Sequence, residues 1–224
     1  MTSPQSSMTE QELLDGSAIL AARDPDLARA LERLGPPPLW NREPGFPTLV
    51  HIILEQQVSL ASARAAFDKL VNRISPLEPT SLLELDVREL KAIGFSGQKG
   101  RYCRELARAV LDSSLDPDAL VSLTDDQVRT ELTKVTGIGR WTADIYLLMA
   151  LGRPDVWPRG DLALHRAVQN LKGFEAPLSP SEFKELGEPW RPWRSVAARI
   201  LWNHYLNPPL SGPTPRHRPT RRNP

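Results

Sequence analysis

Apolar side chains recur at helical spacing through almost every segment of the 224-residue chain, and runs of alternating β-branched and aromatic residues are absent. A period near 3.6 buries one stripe of a helix, whereas a period of two buries one face of a strand, so the pattern predicts an all-α fold. Proline sets the joints, because it removes a backbone donor and cannot continue a helix interior. The spacing and the caps predict about ten helices, most of them short. Asp24-Pro25 opens one that runs through Leu34, and Gly35-Pro36-Pro37-Pro38 breaks the chain. Pro47 starts another, which Val58-Ser59 interrupts before it resumes to Ile74. Asp86 caps 87–93, and helices follow over 98–111 and 124–135, the latter opened by Thr124 with Gln127 three residues on. Segments 140–151, 161–171, 181–186 and 192–206 complete the set.

With 40% hydrophobic residues the chain buries a sizeable core, as one compact domain or as two helical lobes around a cleft. Residues 1–15 read as a disordered terminus and 207–224, rich in Pro and Arg, as a disordered basic tail. The domain between them, 16–206, divides into one lobe of about 16–47 plus 165–206 and another of about 48–164. Lys plus Arg number 28 against 27 Asp plus Glu, so a basic surface requires local clustering, as in the tail with Arg216, Arg218, Arg221 and Arg222. The single cysteine, Cys103, excludes an internal disulfide and a four-cysteine zinc or iron–sulfur site made by this chain alone. The polar start lacks the apolar core of a signal peptide, and the longest apolar run, 145–151, is too short to span a bilayer. The expectation is a soluble, cytoplasmic protein with no membrane contact and monomer as its default state.

Two features carry chemistry. In Thr136-Gly137-Ile138-Gly139-Arg140, two glycines flank one aliphatic residue between two amphipathic helices. Glycine permits positive φ and close backbone approach, so such a turn exposes successive N–H groups beside a helix start, an arrangement suited to phosphate. Taken alone this is an ordinary turn between helices. Leu132 and Val135 before it, and Thr142-Ala143 with the apolar helix after it, make it resemble the helix-hairpin-helix DNA-binding motif, with Ile138 as a buried peg. Beyond that helix, an extended stretch with Pro154 and Pro158 leads to Asp161 at the start of the next helix. Its plain role is an N-cap. In a functional role, the positive end of the helix dipole favours the carboxylate form, suited to stabilising charge or activating water as a glycosidic bond breaks. Asp144, inside a helix, and Asp155, in the loop, compete with it. His165 lies four residues after Asp161, but no third metal ligand is in view.

Hairpin and aspartate together resemble the helix-hairpin-helix (HhH-GPD) superfamily of base-excision DNA glycosylases, whose motif ends in a Gly/Pro-rich loop and an aspartate, and within it the 3-methyladenine DNA glycosylase II (AlkA-type) branch. Three blocks carry the resemblance: Ile53-Leu54-Glu55-Gln56-Gln57-Val58-Ser59, Gly137-Ile138-Gly139-Arg140-Trp141-Thr142-Ala143, and Trp190-Arg191-Pro192-Trp193-Arg194-Ser195 leading to Trp202. The resemblance covers roughly Asp24 to Tyr205. Too few residues precede Asp24 to build the N-terminal β lobe of the longer bacterial members.

The resemblance implies Asp161 as the catalytic carboxylate and Trp141 and Trp202 as walls of a pocket for an extruded base, with Ile145 where longer members tend to carry a pocket tyrosine. It implies Gln57, or its neighbour Gln56, as the wedge that fills the vacated stack, although a capped helix join explains these glutamines equally well. Thr136, Gly137, Ile138, Gly139 and Arg140 would form the DNA grip. No cofactor is implied beyond a structural monovalent cation, Na or K, on the carbonyls of Thr133, Val135 and Ile138. Gly97-Gln98-Lys99-Gly100-Arg101 is similar to a basic loop of the family, and reads equally as a solvated helix start. Where lyase members carry a lysine nucleophile, this chain has Trp141, so water is the implied acceptor. The expected function is a monofunctional glycosylase that removes alkylated, cationic bases from duplex DNA and associates with the nucleoid through DNA. A glycosylase for mismatched or oxidised bases and a non-catalytic DNA-binding module are the alternatives.

Overall fold

The computed structural model describes residues 7–208, and among these there are twelve α-helices, two short 3-10 turns and no strand. The chain forms two compact units. Among the described residues one is continuous, Asn41–Gly152; the other combines Ser7–Trp40 with residues 153–208.

In the continuous unit the central element is α3 (Phe46–Glu55), which buries Phe46, Thr48, Leu49, Val50, Ile52, Ile53 and Leu54 and so is apolar on nearly every side. Around it pack α4 (Leu60–Arg73), α7 (Gly97–Leu111) and α9 (Arg140–Met149). The short α5 (Pro79–Glu84) and α6 (Val87–Ala92) lie against α7, and α8 (Asp125–Thr133) against α9. Gly45, the N-cap of α3, has no side chain to offer; instead its N–H donates to the Tyr146 hydroxyl at 2.9 Å. Burial pushes the Tyr146 phenol up to about 12, so it stays protonated in this role.

The second unit is built on α12 (Arg194–Leu206), buried without a break from Ser195 to Trp202. Against it lie α1 (Glu10–Arg23), α2 (Pro25–Leu34) and α10 (Leu162–Lys172); α11 (Pro180–Leu186) adds Phe183. Gly16 lets α1 approach closely, because a β-carbon there would stand 2.9 Å from the Trp193 ring. Asp24 caps α2 through the N–H groups of Asp26 and Leu27, and also accepts from Lys172 Nζ at 2.8 Å and Trp190 Nε1 at 3.0 Å.

Two expectations change, and a third falls outside the described residues. Residues from Glu10 to Asp15 are not a disordered terminus but the start of α1, closed by a reciprocal cap between Thr9 and Glu12. The basic tail lies outside the described residues except for Asn207 and Pro208. The boundaries between units fall near 40/41 and 152/153, not 47/48 and 164/165, and hydrogen bonds explain both shifts. Arg42 N–H donates to Met149 O at 2.9 Å and its guanidinium pairs with Glu55 at 2.7 and 3.0 Å, so the stretch before α3 belongs with α9 and α3. Ser195 Oγ donates to Arg153 O at 2.6 Å and accepts from Val156 N at 2.9 Å, which draws the segment leading to Asp161 onto α12.

Candidate functional site

The glycine hairpin joins α8 to α9 through a turn whose two glycines differ in kind. Gly137 has φ +95°, and a β-carbon there would overlap Tyr102, 2.6 Å from its Cβ and closer still to its ring, so both backbone and packing demand glycine. Gly139 has an ordinary φ of −93°, and a β-carbon there would meet nothing within 4 Å, so packing within this chain makes no such demand. Ile138 is 4% exposed, the buried peg expected of the motif, and its N–H donates to Val135 O at 3.0 Å. Thr136, Gly139 and Arg140 are exposed. A shallow depression of about 310 Å³ beside the turn is lined by Asp126, Arg129, Thr130, Thr133 and Arg140. Thr133 closes α8, so its carbonyl, with those of Val135 and Ile138, belongs to a helix C-terminus and the turn after it, and the Val135 carbonyl accepts from Ile138 N–H.

Asp144 is buried and committed to Arg129 Nε at 2.7 Å, with Arg140 Nε 3.5 Å from its other oxygen. Burial works against the Arg129 charge, but the hydrogen bond and attraction of Asp144 outweigh it and raise the guanidinium's affinity for its proton. On the same helix, Trp141 is half-buried, while Ile145, at 2% exposure, belongs to the core of its unit.

The break between α3 and α4 separates the two glutamines. Gln56 turns its amide onto the hairpin, donating to Gly137 O at 2.9 Å and Thr142 Oγ1 at 3.0 Å. This corrects the expectation that Gln56 is a candidate wedge, since its donor is used within the protein. Gln57 is exposed and holds φ +55°, a left-handed conformation unusual for a residue with a β-carbon. Val58 and Leu60 beside it are 45% and 58% exposed. Lys99, in the Gly97–Arg101 stretch, is not a solvated charge: its ammonium bonds Leu54 O near the end of α3, and burial lowers its pKa. Sequence reasoning missed Gln56 as a clasp and Tyr102 as the partner of Gly137; both contacts join segments distant in sequence, and no local pattern signals them.

In the second unit Asp161 is the N-cap of α10, 7% exposed. Its Oδ1 accepts from Leu164 N at 2.8 Å and from Trp202 Nε1 at 3.3 Å. The structure thus gives Asp161 the plain role of a cap and, in the same contact, sets the Trp202 indole against it. Asp155 is paired with Arg191 at 2.7 Å and Arg194 at 2.8 Å, a structural commitment like that of Asp144. His165 stacks on Phe183 with centroids 3.7 Å apart. Burial lowers its pKa, and the charge of Asp161 pulls the other way. Among the described residues no cluster of three or more His, Cys, Asp or Glu could hold a metal ion, and no helix is long and apolar enough to cross a membrane.

Residues 50–192 match the family described as HhH-GPD superfamily base excision DNA repair protein. A Schizosaccharomyces pombe protein named alkylbase DNA glycosidase-like protein mag2 is 25% identical over 82% of this chain and 89% of its own length. The Escherichia coli DNA-3-methyladenine glycosylase 2 is 30% identical over 77% of this chain and 64% of its own. The chain spans less than two thirds of some other relatives, 58% and 40% of two from Bacillus subtilis. In three dimensions the chain is similar to the S. pombe 3-methyladenine DNA glycosylase solved with abasic DNA, with a TM-score of 0.79 over 84% of this chain and 95% of that one; at 24% identity this likeness speaks for the fold.

Proposed function

The chain belongs to the HhH-GPD superfamily of base excision DNA repair proteins, and we propose that it is a monofunctional DNA glycosylase that hydrolyses the bond between deoxyribose and an alkylated, cationic base of the 3-methyladenine type in duplex DNA. The observation that carries this reading is the Asp161 carboxylate, buried at the start of α10 with one oxygen held by Leu164 N–H and Trp202 N–H. Relatives named 3-methyladenine glycosylases support the substrate class.

The chemistry follows from the charges. An alkylated base already carries positive charge, so when the C1′–N bond breaks its electron pair leaves with the base, which departs neutral and needs no general acid. The sugar is left with oxocarbenium character, which Asp161 stabilises. Water then forms the C1′–O bond, and its proton passes to the carboxylate or to solvent. Trp202 and Trp141 are assigned as aromatic surfaces for the extruded base, each worth about 0.5 to 2 kcal/mol toward a cation. Trp141 supplies no amine, so no Schiff base forms and the strand stays intact.

The hairpin amides, with Thr136 and Arg140, are assigned to phosphate and Gln57 to the vacated base position. The carbonyls of Thr133, Val135 and Ile138 would hold a Na or K ion that steadies the turn. The enzyme is assigned as a monomer. The test is excision from duplexes carrying 3-methyladenine, 7-methylguanine, hypoxanthine, 8-oxoguanine or uracil, read with and without alkali. Release of the methylated bases with strand scission only after alkali is expected. Scission without alkali would overturn the monofunctional assignment, preference for 8-oxoguanine or uracil would overturn the substrate class, and DNA binding without any release would leave a binding module.

A further inference from the structure

The α3–α4 connection and the glycine hairpin lie about eighty residues apart, and one side chain holds both: Gln56 donates to Gly137 O and Thr142 Oγ1, at sequence separations of 81 and 86. The peptide between Gly137 and Ile138 is gripped from both sides, its oxygen by Gln56 and its N–H by Val135 O. A peptide unit is planar and stiff, so pinning both ends constrains the amides that flank it, those of Gly137 and Gly139. The residue immediately after Gln56 is Gln57, exposed and at φ +55°. Such a conformation persists only where the surroundings fix it, and here they do. Lys99 Nζ binds Leu54 O, Gln56 N–H caps α3 on Ile53 O, the Gln56 amide is fastened to the hairpin, and Ser59 caps α4 beyond.

We propose that Gln56 is a positioning residue that couples the phosphate grip of the hairpin to the exposed Gln57–Leu60 connection, so that seating a phosphate on the hairpin and inserting Gln57 into the duplex act as one event. This rests on the DNA glycosylase reading above. Gln56 itself touches no DNA; its effect is on whether two contacts made by other residues reinforce each other.

The test is a double-mutant cycle on the full chain. Affinity for a duplex bearing a tetrahydrofuran abasic analogue is measured for Gln57→Ala, Arg140→Ala and the pair, first with Gln56 present and then in a Gln56→Ala background. With Gln56 present, the pair is expected to deviate from the product of the single effects by about threefold or more. Without it, the effects should multiply independently. A purely structural Gln56 would lower the melting temperature and weaken every variant alike without changing the coupling. Coupling that is absent with Gln56 present, or that persists undiminished without it, would overturn the proposal. If Gln56→Ala does not fold, Gln56→Glu carries the same test, because a carboxylate of the same size has no N–H to donate. A wild-type chain with no affinity for the duplex would overturn the DNA reading and this inference together; lost coupling in a chain that binds overturns only the inference.

Discussion

Replacing each hairpin glycine by alanine separates two roles that the motif runs together. At Gly137 an alanine must adopt φ +95° and place its β-carbon against the Tyr102 ring, 2.6 Å from the tyrosine Cβ. The left-handed backbone costs about 1–2 kcal/mol, and relieving an overpacked contact typically costs about 1–3 kcal/mol more, giving a loss of about 2–5 kcal/mol. For a chain of this size each kcal/mol shifts the melting temperature by about 2–4 °C, so Gly137→Ala should melt about 4–20 °C lower. Gly139→Ala meets no atom within 4 Å and keeps an ordinary φ. Its cost is that of alanine at an N-cap, about 1 kcal/mol or less relative to glycine. Its expected effect is on DNA, because under the proposed docking the new methyl group would fill the space through which a phosphate reaches the Gly139 amide. Thermal melting and fluorescence anisotropy with a labelled duplex measure the two effects separately. Tyr102→Ala should recover part of the Gly137→Ala loss, since it removes the ring from the clash, while the backbone cost and the 2.6 Å approach to the β-carbon of residue 102 remain. Equal melting shifts for the two alanine variants, or a Gly137→Ala protein as stable as the wild type, would refute the reasoning.

The second unit offers its own tests. Replacing Ser195 by Ala removes the hydroxyl that joins Val156 N–H to Arg153 O; the loss should be about 1–3 kcal/mol, and turnover should fall with little change in duplex affinity, measured by melting and single-turnover excision. Trp202→Phe keeps an aromatic ring but removes the N–H at 3.3 Å from Asp161 Oδ1 and shrinks a buried side chain, so it should lower the melting temperature and, in the folded protein, the excision rate by about tenfold; an unchanged rate would deny that bond a catalytic role. Burial pushes the Asp24 carboxyl pKa up, but the hydrogen bond and attraction of Lys172 outweigh this and hold it below the usual aspartate value. A folded-state pKa below the unfolded one stabilises at pH above the unfolded value, and the contribution disappears as pH falls through the folded value. The stability gap between wild type and Asp24→Asn should therefore be level near neutrality and shrink below about pH 4, as denaturant titrations at several pH values would show.

Much of the fold is legible in sequence because it is local. Asp24 before Pro25, Thr124 with Gln127, and Gly137-Ile138-Gly139 each announce a helix end through chemistry that lies within a few residues, and each is found where the spacing puts it. The Thr9-to-Glu12 cap is equally local, but the polar residues around it mask the helix, with only Leu13, Gly16, Ser17 and Leu20 of α1 buried. The short α5 escapes for a related reason: six residues carry too little period to register. Sequence does not show where long-range hydrogen bonds fall. Spacing alone puts Asp161 in one lobe with the hairpin, but Ser195 and Trp202 bind its segment to α12. The two adjacent glutamines look interchangeable in sequence, and only the Gly137 and Thr142 contacts set Gln56 apart from Gln57.

Asp161→Asn decides whether the charge on Asp161 drives base release. Asparagine caps a helix about as well as aspartate, and its amide oxygen accepts from Leu164 N–H and Trp202 N–H in the same way, so the substitution removes charge while keeping the fold. Under single-turnover conditions on a 3-methyladenine duplex, the rate should be lower by about 10²–10³-fold, with melting temperature and abasic-duplex affinity close to those of the wild type. Excision at the wild-type rate by a folded, DNA-binding Asp161→Asn protein would contradict a role for that charge.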